Sequence, residues 1–367
     1  MLMSTIENSE VSLQEGKGDE LSPPATLISV IIPTLNEEKV IGECLKALVL
    51  QNLLRDRFEV IVVDNGSVDR TLDVVRRFAR CLRVTIRSLP GCHISELRNT
   101  GAREATGSFL AFLDSDCIAP PHWLESAIAV LKDAGDVVVG SFYTVPENSG
   151  WVARAWYGDM VRERQGPVSY VPSGTLFISS RIFRELGGFD RDIETSEDFE
   201  LCQRAKAAGY PVVAHSTLST VHLGTPQTLS AFWRKERWHG NGVRSVLLRR
   251  TSQRGFANTL ALTAYALLSL VITLLAIPMA VVTGRFAVIA IGPVLLAGGA
   301  LLMAARAAAR RRRWKYFFPL AALYVVYGVA RSLTLLGAAG RGQRRVASSA
   351  VSPAADRSAS GSRAFES

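Results

Sequence analysis

The run Phe109-Leu110-Ala111-Phe112-Leu113 passes straight into Asp114-Ser115-Asp116, and this junction narrows the fold more than any other stretch. A short unbroken apolar run reads as a strand buried on both faces. Two carboxylates released at its C-terminal end stand where open α/β sheets place their ligands. On an extended chain, residues two apart share a face, so Asp-x-Asp turns both side chains toward one site. Hard oxygen donors of this kind suit Mg²⁺ or Mn²⁺, and such ions commonly arrive with a phosphorylated substrate. The plainer alternative is a strand-ending turn with two solvated aspartates.

Two earlier stretches repeat the pattern. Ile28-Ser29-Val30-Ile31-Ile32 leads to Pro33-Thr34-Leu35-Asn36-Glu37-Glu38 and a helix-like run over residues 39–51. Val60-Ile61-Val62-Val63 leads to Asp64-Asn65-Gly66-Ser67 and a helical stretch over residues 68–80. Strand, polar tip and helix in repetition predict a parallel sheet with crossover helices, its tips gathered on one edge. Asp64 either accepts hydrogen bonds from a base or ribose, since a carboxylate only accepts, or caps the following helix. Arg98-Asn99-Thr100-Gly101-Ala102 sets a guanidinium one helix before the aspartate pair.

The ordered segments PTLNEE, VVDNGSVDRT, RNTGAREATG and FLAFLDSDC resemble the nucleotide-binding half of the family 2 glycosyltransferases, whose fold is GT-A. The likeness continues through Gly187-Gly188-Phe189-Asp190 and Glu197-Asp198 to Arg234-Lys235-Glu236-Arg237-Trp238, covering about residues 27–240. It implies an α/β domain with a mostly parallel sheet that takes a nucleotide-diphospho-sugar. Glu37, Asp64, Arg98 and Asp114 are then expected around the nucleoside, with Pro33, Thr34 and Asn36 in the same strand tip. Asp116 is expected on the metal at the diphosphate.

The second half of the domain is expected to carry the chemistry. Thr195-Ser196-Glu197-Asp198-Phe199-Glu200-Leu201 opens a helix with acids in its first turn, which capping and the helix dipole favour in any protein. The functional reading makes Asp198 the general base on an acceptor hydroxyl, with Glu197 beside it toward the acceptor. Arg234-x-x-Arg237-Trp238 resembles the family's (Gln/Arg)-x-x-Arg-Trp signature. That likeness sets Arg237 on the departing diphosphate, whose oxygens match a planar fork, and gives Trp238 a flat face for an acceptor ring. The alternative is a charged helix beside a membrane, with Trp238 marking the interface. His222 follows a β-like run and either completes the metal shell or is satisfied locally; His215 is the weaker candidate. Ser173-Gly174-Thr175 reads as a small-residue turn on the acceptor side.

The last third changes character. Residues 257–282 and 286–305 are almost unbroken apolar segments. At about 1.5 Å per residue, each can cross a hydrocarbon core of about 30 Å. A third segment, 316–336, is interrupted by Arg331 toward one end, so its guanidinium is expected to snorkel or to leave the helix half inserted. Residues 1–24 are acidic and polar, carry no signal-peptide pattern, and read as a disordered tail. The expected division is a catalytic domain over 25–254, a membrane region over 255–340 and a disordered basic/polar tail over 341–367.

Charge placement tells what the basic balance of +9 means. Residues 306–345 hold nine Arg and one Lys with no acid. The excess therefore belongs to the membrane region, and no basic stripe marks the catalytic domain as a nucleic-acid face. Arg310-Arg311-Arg312-Arg313-Trp314-Lys315, between the second and third segments, is expected to stay in the cytoplasm. Two preceding spans then place the catalytic domain there too. A full third span would put Arg341, Arg344 and Arg345 outside, against the same rule. Cys44, Cys81, Cys92, Cys117 and Cys202 show no ligand-like spacing and fit a reducing compartment.

These readings converge on a metal-dependent, inverting glycosyltransferase of the cell membrane, using a UDP- or GDP-sugar. A polyprenyl phosphate is already an ionised nucleophile, whereas a hydroxyl needs a base; Glu197-Asp198 therefore favours a hydroxyl on a lipid-linked saccharide or glycolipid. Two alternatives stand beside this: a processive polysaccharide synthase, and a catalytically silent scaffold that binds nucleotide sugars.

Overall fold

The computed structural model describes residues 27–158, 164–193, 195–249 and 257–337. The expected tails over 1–24 and 341–367 lie outside the described residues. In the first half, β1 (Ile28–Thr34), α1 (Ile41–Val49), β2 (Phe58–Asp64), α2 (Thr71–Phe78), β3 (Val84–Ser88), α3 (Ile94–Glu104) and β4 (Phe109–Leu113) alternate strand with helix. There follow β5 (Cys117–Ile118), α4 (Trp123–Ala134), β6 (Val138–Gly140), α5 (Trp151–Tyr157), β7 (Gly166–Pro167), β8 (Thr175–Ser179), α6 (Ser180–Glu185) and α7 (Glu197–Ala207). Then come β9 (Val212–Ala214), β10 (Val221–His222) and α8 (Leu229–Arg249).

Eight strands form one sheet in the order β3-β2-β1-β4-β8-β6-β9-β7. Strands β1 to β4 are mutually parallel, and every residue of β1 and β2 is buried. That is why their sequences are nearly continuous apolar runs. The far half is mixed, because β8 runs antiparallel to both β4 and β6. Helices α1, α2 and α4 cover one face, with Leu45, Leu48, Val75, Trp123 and Leu124 packed on Val30, Val60 and Ala111. Helices α6 and α7 cover the other through Ile182, Phe183 and Leu201 against Ile31 and Phe112.

This topology assembles the site. Parallel register aligns Thr34 with Asp64 and Asp64 with Ser88, so the strand tips share one edge. Antiparallel pairing sets Thr175 against Leu113, which brings the Ser173-Gly174 turn beside Asp114. A Cβ on Gly174 would collide with the Asp114 carboxylate and the Tyr143 hydroxyl, so only glycine allows this approach. A separate two-stranded ladder pairs His222 of β10 with Cys117 of β5 and carries the histidine to the aspartate tip.

Beyond α8 stand α9 (Ala257–Thr283), α10 (Ile291–Arg311) and α11 (Phe317–Leu335), three helices long and apolar enough to cross a membrane. The third is the least apolar, with a mean hydropathy of 1.4 against 2.5 and 2.3, and also the most enclosed by protein. Arg331 and Thr334 face α8, while Ser332 Oγ donates to Thr263 O of α9 at 3.2 Å. Arg331 does not interrupt the helix: Nε and Nη2 each lie 2.9 Å from Glu236 Oε2 of α8, and the guanidinium stacks 4.3 Å from the Tyr327 ring. Thr334 Oγ1 donates to Arg237 O at 3.1 Å, and Gly240 lets the two helices approach where a Cβ would strike Thr334. Phe232, Leu323, Tyr327, Val152 and Ala155 close an apolar cluster between the catalytic half and α11.

Candidate active site

The aspartate tip is an electrostatic centre. Arg98 Nη2 donates to Asp114 Oδ1 at 2.7 Å, and the Tyr143 hydroxyl donates to Oδ2 at 3.0 Å. Burial alone raises the Asp114 carboxyl, but Arg98, His222 and the Tyr143 hydrogen bond overcome it and hold the group below its ordinary range. Asp116 goes the other way: burial and its neighbour Asp114 push it up, against the pull of His222 and Lys235. Burial, then Asp116, Asp69 and Asp114, lift Glu37 to about 7. Asp116 and Glu37 thus share a corner with less positive charge than they need, while Asp114 is already served by Arg98.

A divalent cation fits that corner. Ligand atoms of Asp114, Asp116, Cys117 and His222 all lie within 4.8 Å of one another. His222 Nδ1 is buried with no hydrogen-bond partner, and its 3.6 Å separation from Asp116 Oδ2 is too long for one. An orphaned imidazole nitrogen beside two carboxylates is a ready ligand position. Burial lowers the His222 pKa, favouring the neutral ring that coordination requires. Cys117 is a poorer donor: burial holds its thiol well up, and hard cations prefer oxygen. Gly224 clears the space over the pair, since a Cβ there would meet the Asp116 carboxylate.

Three residues expected around the nucleoside carry structural hydrogen bonds. Asp64 is 1% exposed; Oδ2 accepts from Gly66 N and Ser67 N, both at 3.0 Å, and Oδ1 accepts from the Ser67 hydroxyl. It builds its own turn, at whose bend Gly66 has φ of 85°. Nor does Asp64 cap α2, because Asp69 Oδ1 accepts from Thr71 N at 2.9 Å. Asn36 Oδ1 accepts from Val68 N at 2.9 Å, stitching the first strand tip to the second. Arg98, 1% exposed, is an internal beam, with Nη1 donating to Glu197 Oε1 at 2.6 Å while Nη2 holds Asp114. Its guanidinium is thus held between the half-buried Asp114 and the buried Glu197. Pro33 and Thr34 are buried in the β1 end, and Thr34 Oγ1 has no hydrogen-bond partner.

Glu197 is correspondingly occupied, accepting from Arg98 and from the Ser173 hydroxyl at 3.2 Å. It is buried, at 6% exposure. Asp198 is half-buried and accepts from Phe199 N at 2.7 Å and Ser173 N at 3.3 Å. Burial, then the Glu197 charge, raise it to about 7 despite those donors. The preceding Ser196 has φ of 73°, a left-handed conformation costly for a residue with a Cβ. This strain turns the acidic pair into the site.

On α8 the sequence reading singled out Arg237 and Trp238 and missed Lys235. Lys235 is half-buried, and Asp116 and Asp114 both act on it; burial nevertheless lowers its pKa. Its Nζ sits 5.4 Å from the Tyr157 ring. A helix turns about 100° per residue, so Arg237 projects roughly 200° away from Lys235 while Trp238 stays on its side. The Arg237 carbonyl is bonded to α11, and Trp238 is half-buried against His239 at 4.8 Å between ring centroids. His215 Nδ1 is 2.8 Å from the Thr217 hydroxyl in its own turn and belongs to no ligand cluster among the described residues. Tyr143 was also missed; its ring meets His222 edge-on at 4.6 Å. The β4–β8 and β5–β10 pairings bring the Ser173-Gly174 turn and His222 to the aspartate tip, and no local pattern announces them.

Known proteins can now be set beside this geometry. The pattern described as Glycosyl transferase family 2 matches residues 29–187, and that described as Glycosyl transferase family group 2 matches residues 109–327. The glycosyltransferase AglE of Haloferax volcanii is 32% identical over 200 residues, covering 52% of this chain and 65% of AglE. Validoxylamine A glucosyltransferase of Streptomyces hygroscopicus subsp. limoneus is 32% identical over 258 residues, 60% of this chain and 55% of that protein. The chain thus spans between about half and two thirds of these relatives. Among solved structures, the mannosyltransferase PcManGT from Pyrobaculum calidifontis shares the fold, with a TM-score of 0.58 and 21% identity over 86% of this chain and 88% of that one. By the match that runs from the aspartate tip into the third apolar helix, together with this fold, the chain belongs to the family 2 glycosyltransferases.

Proposed function

We propose that the chain is a membrane-anchored, inverting transferase that moves a sugar from a nucleotide diphosphate onto a hydroxyl of a lipid-linked acceptor. The observation that carries this is the Asp198 carboxyl, held at about 7 at the mouth of α7 and tied through Glu197 and Arg98 to the aspartate tip. A carboxylate poised there takes a proton at neutral pH more readily than an ordinary aspartate. The acceptor oxygen attacks the anomeric carbon as its proton passes to Asp198. The bond from that carbon to the diphosphate oxygen breaks, and the nucleoside diphosphate departs with the electron pair. Attack opposite the leaving group inverts the centre.

Asp116, Asp114 and His222 are the residues that would hold Mg²⁺ or Mn²⁺, and such an ion neutralises charge growing on the leaving diphosphate. Lys235 supplies a further positive charge to the same corner. Glu37 stands at the rim of that corner, on the donor side. PcManGT was solved with GDP-Man and Mn2+, which supports a nucleotide-sugar donor and a divalent ion here. The three apolar helices support a bilayer partner. Arg311 at the end of α10 donates to Ala155 O at 2.6 Å, so the arginine-rich end lies on the catalytic side, which the positive-inside rule assigns to the cytoplasm.

The test is turnover by the detergent-purified chain with a panel of UDP- and GDP-sugars, Mg²⁺ or Mn²⁺ and a membrane lipid extract. The expected result is metal- and lipid-dependent nucleoside diphosphate release with one sugar added per lipid. A product ladder would make the chain a polymerising synthase. Nucleotide binding without turnover by any donor would make it a binding scaffold.

A further inference from the structure

The three apolar helices enclose a groove that the transfer chemistry leaves unused. Its volume is about 570 Å³, within the range of small-ligand sites, and most of its lining is apolar. Tyr265 of α9 and Tyr324 of α11 form opposite walls, with Gly298 and Gly299 of α10 between them. A Cβ on Gly299 would run into the Tyr265 ring, whose hydroxyl donates to Leu295 O at 2.6 Å, so that wall is fixed. A Cβ on Gly298 would meet nothing within 4 Å, so the floor there is open.

One end of the groove is charged. Arg306 and Arg310 line it one helical turn apart, both exposed, and neither has an acidic partner among the described residues. This is the end that abuts the catalytic half, where neighbouring Arg311 holds Ala155 O. Across the groove, Tyr324 packs on Trp156 at 5.1 Å; the following residue, Tyr157, lies under Lys235, on which Asp116 acts. Trp156 and Tyr157 thus join the Tyr324 wall of the groove to the helix face that carries Lys235.

An apolar trough ending in two unpaired guanidiniums complements one chemistry, a hydrocarbon chain capped by a phosphate. Arginine forks match phosphate oxygens, and a helix end at the membrane surface is where lipid headgroups reside. We infer that this groove seats the acceptor lipid, with its chain along α9, α10 and α11 and its phosphate or diphosphate clamped by Arg306 and Arg310. The inference rests on the transferase reading above and sharpens it. The lipid phosphate is the handle, and the nucleophile is a hydroxyl carried beyond it toward Asp198.

Binding to the full chain in neutral detergent tests this without any turnover. The probes are dioleoyl phosphatidic acid, dioleoylglycerol as the same tails without phosphate, and glycerol 3-phosphate as the same head without tails. Phosphatidic acid is expected to bind at least about tenfold more tightly than either half alone. The double variant R306Q/R310Q should lose about tenfold, and Gly298→Leu, which fills the floor, a comparable factor. Lys315→Gln, an exposed cation of the same cluster outside the groove, should change nothing. Equal losses in K315Q and in R306Q/R310Q would reduce the effect to diffuse surface charge and overturn the site. So would equal binding of dioleoylglycerol. Metal-dependent nucleotide binding, measured on the same samples, reports separately on the catalytic half. Lipid binding without transfer by any donor would sink the transferase reading while leaving the groove intact.

Discussion

Asp198 is asked to be both buried and ionisable, and the two demands show in its pKa of about 7 against an ordinary value of 3.8. Two outcomes follow. As a base it must be deprotonated, so kcat/KM should rise with pH and level off above about 7. Asp198→Asn should abolish this dependence and cut turnover by about two to four orders of magnitude while nucleotide binding survives. For stability the sign is reversed. The folded state holds the proton more tightly than the unfolded chain, so the favourable contribution is complete below about pH 4 and is lost as pH rises through about 7. Asp198→Asn should therefore raise the Tm at pH 8 and hardly move it near pH 4; the opposite ordering in a thermal scan would show that the carboxyl is not strained. His222 invites a simpler test. With its orphaned Nδ1 as a ligand, His222→Ala should weaken Mn²⁺ binding by at least about tenfold in a titration. Unchanged affinity would leave the two aspartates as the whole site. Asp114, Asp116 and Asp198 stood out as candidates because their order along the chain resembles the family's, although solvated turns and helix capping account for acids at such ends too. The linkage of Asp114 through Arg98 to Glu197 was not legible, since residue type names a charge but never its partner.

Strands β1, β2 and β4 could be read directly from the sequence, because a strand covered on both faces must be apolar throughout. Strand β8 carries the same kind of run, Thr175-Leu176-Phe177-Ile178-Ser179, yet it lies antiparallel. An apolar run has no direction, so the mixed half of the sheet stayed hidden. Helix α8 shows the matching limit for charge. Its sequence reads as one charged face, but Glu236 is 2% exposed and bonded to Arg331 across a helix–helix contact. Removing one member of such a pair strands the other charge in the interior, at a typical cost of about 3 to 5 kcal/mol. Arg331→Leu should destabilise the detergent-solubilised protein by that order. The double variant E236L/R331L should recover most of it, since neither charge is then left alone. A double variant as unstable as the single one would mean that the ion pair is not what joins α8 to α11.

Across the whole molecule, the α/β domain and the apolar helical region that follows it are joined by more than chain continuity. The composition shift near residue 255 is real, but the contacts cross it. The Arg-Lys-Glu-Arg-Trp helix is fastened to α11 by the Glu236–Arg331 pair, by the Thr334 bond to the Arg237 carbonyl and by the Gly240–Thr334 contact. Phe232 is fully buried in a cluster completed by Leu323 and Tyr327 of α11. Strip α11 away and a face bearing Phe232, Glu236 and Gly240 is exposed on the same helix that aims Lys235 at the aspartate tip. A chain ending at residue 249 should therefore keep the β1–β4 sheet and its nucleotide binding, because that half is covered by α1 to α4 and α6. Its transfer to a water-soluble acceptor analogue should fall far below that of the full chain, and size-exclusion chromatography should find it associating through the uncovered face. A monodisperse truncation with full turnover would make α11 a mere tether. Loss of turnover with nucleotide affinity retained would make the third apolar helix a working part of the active site's architecture.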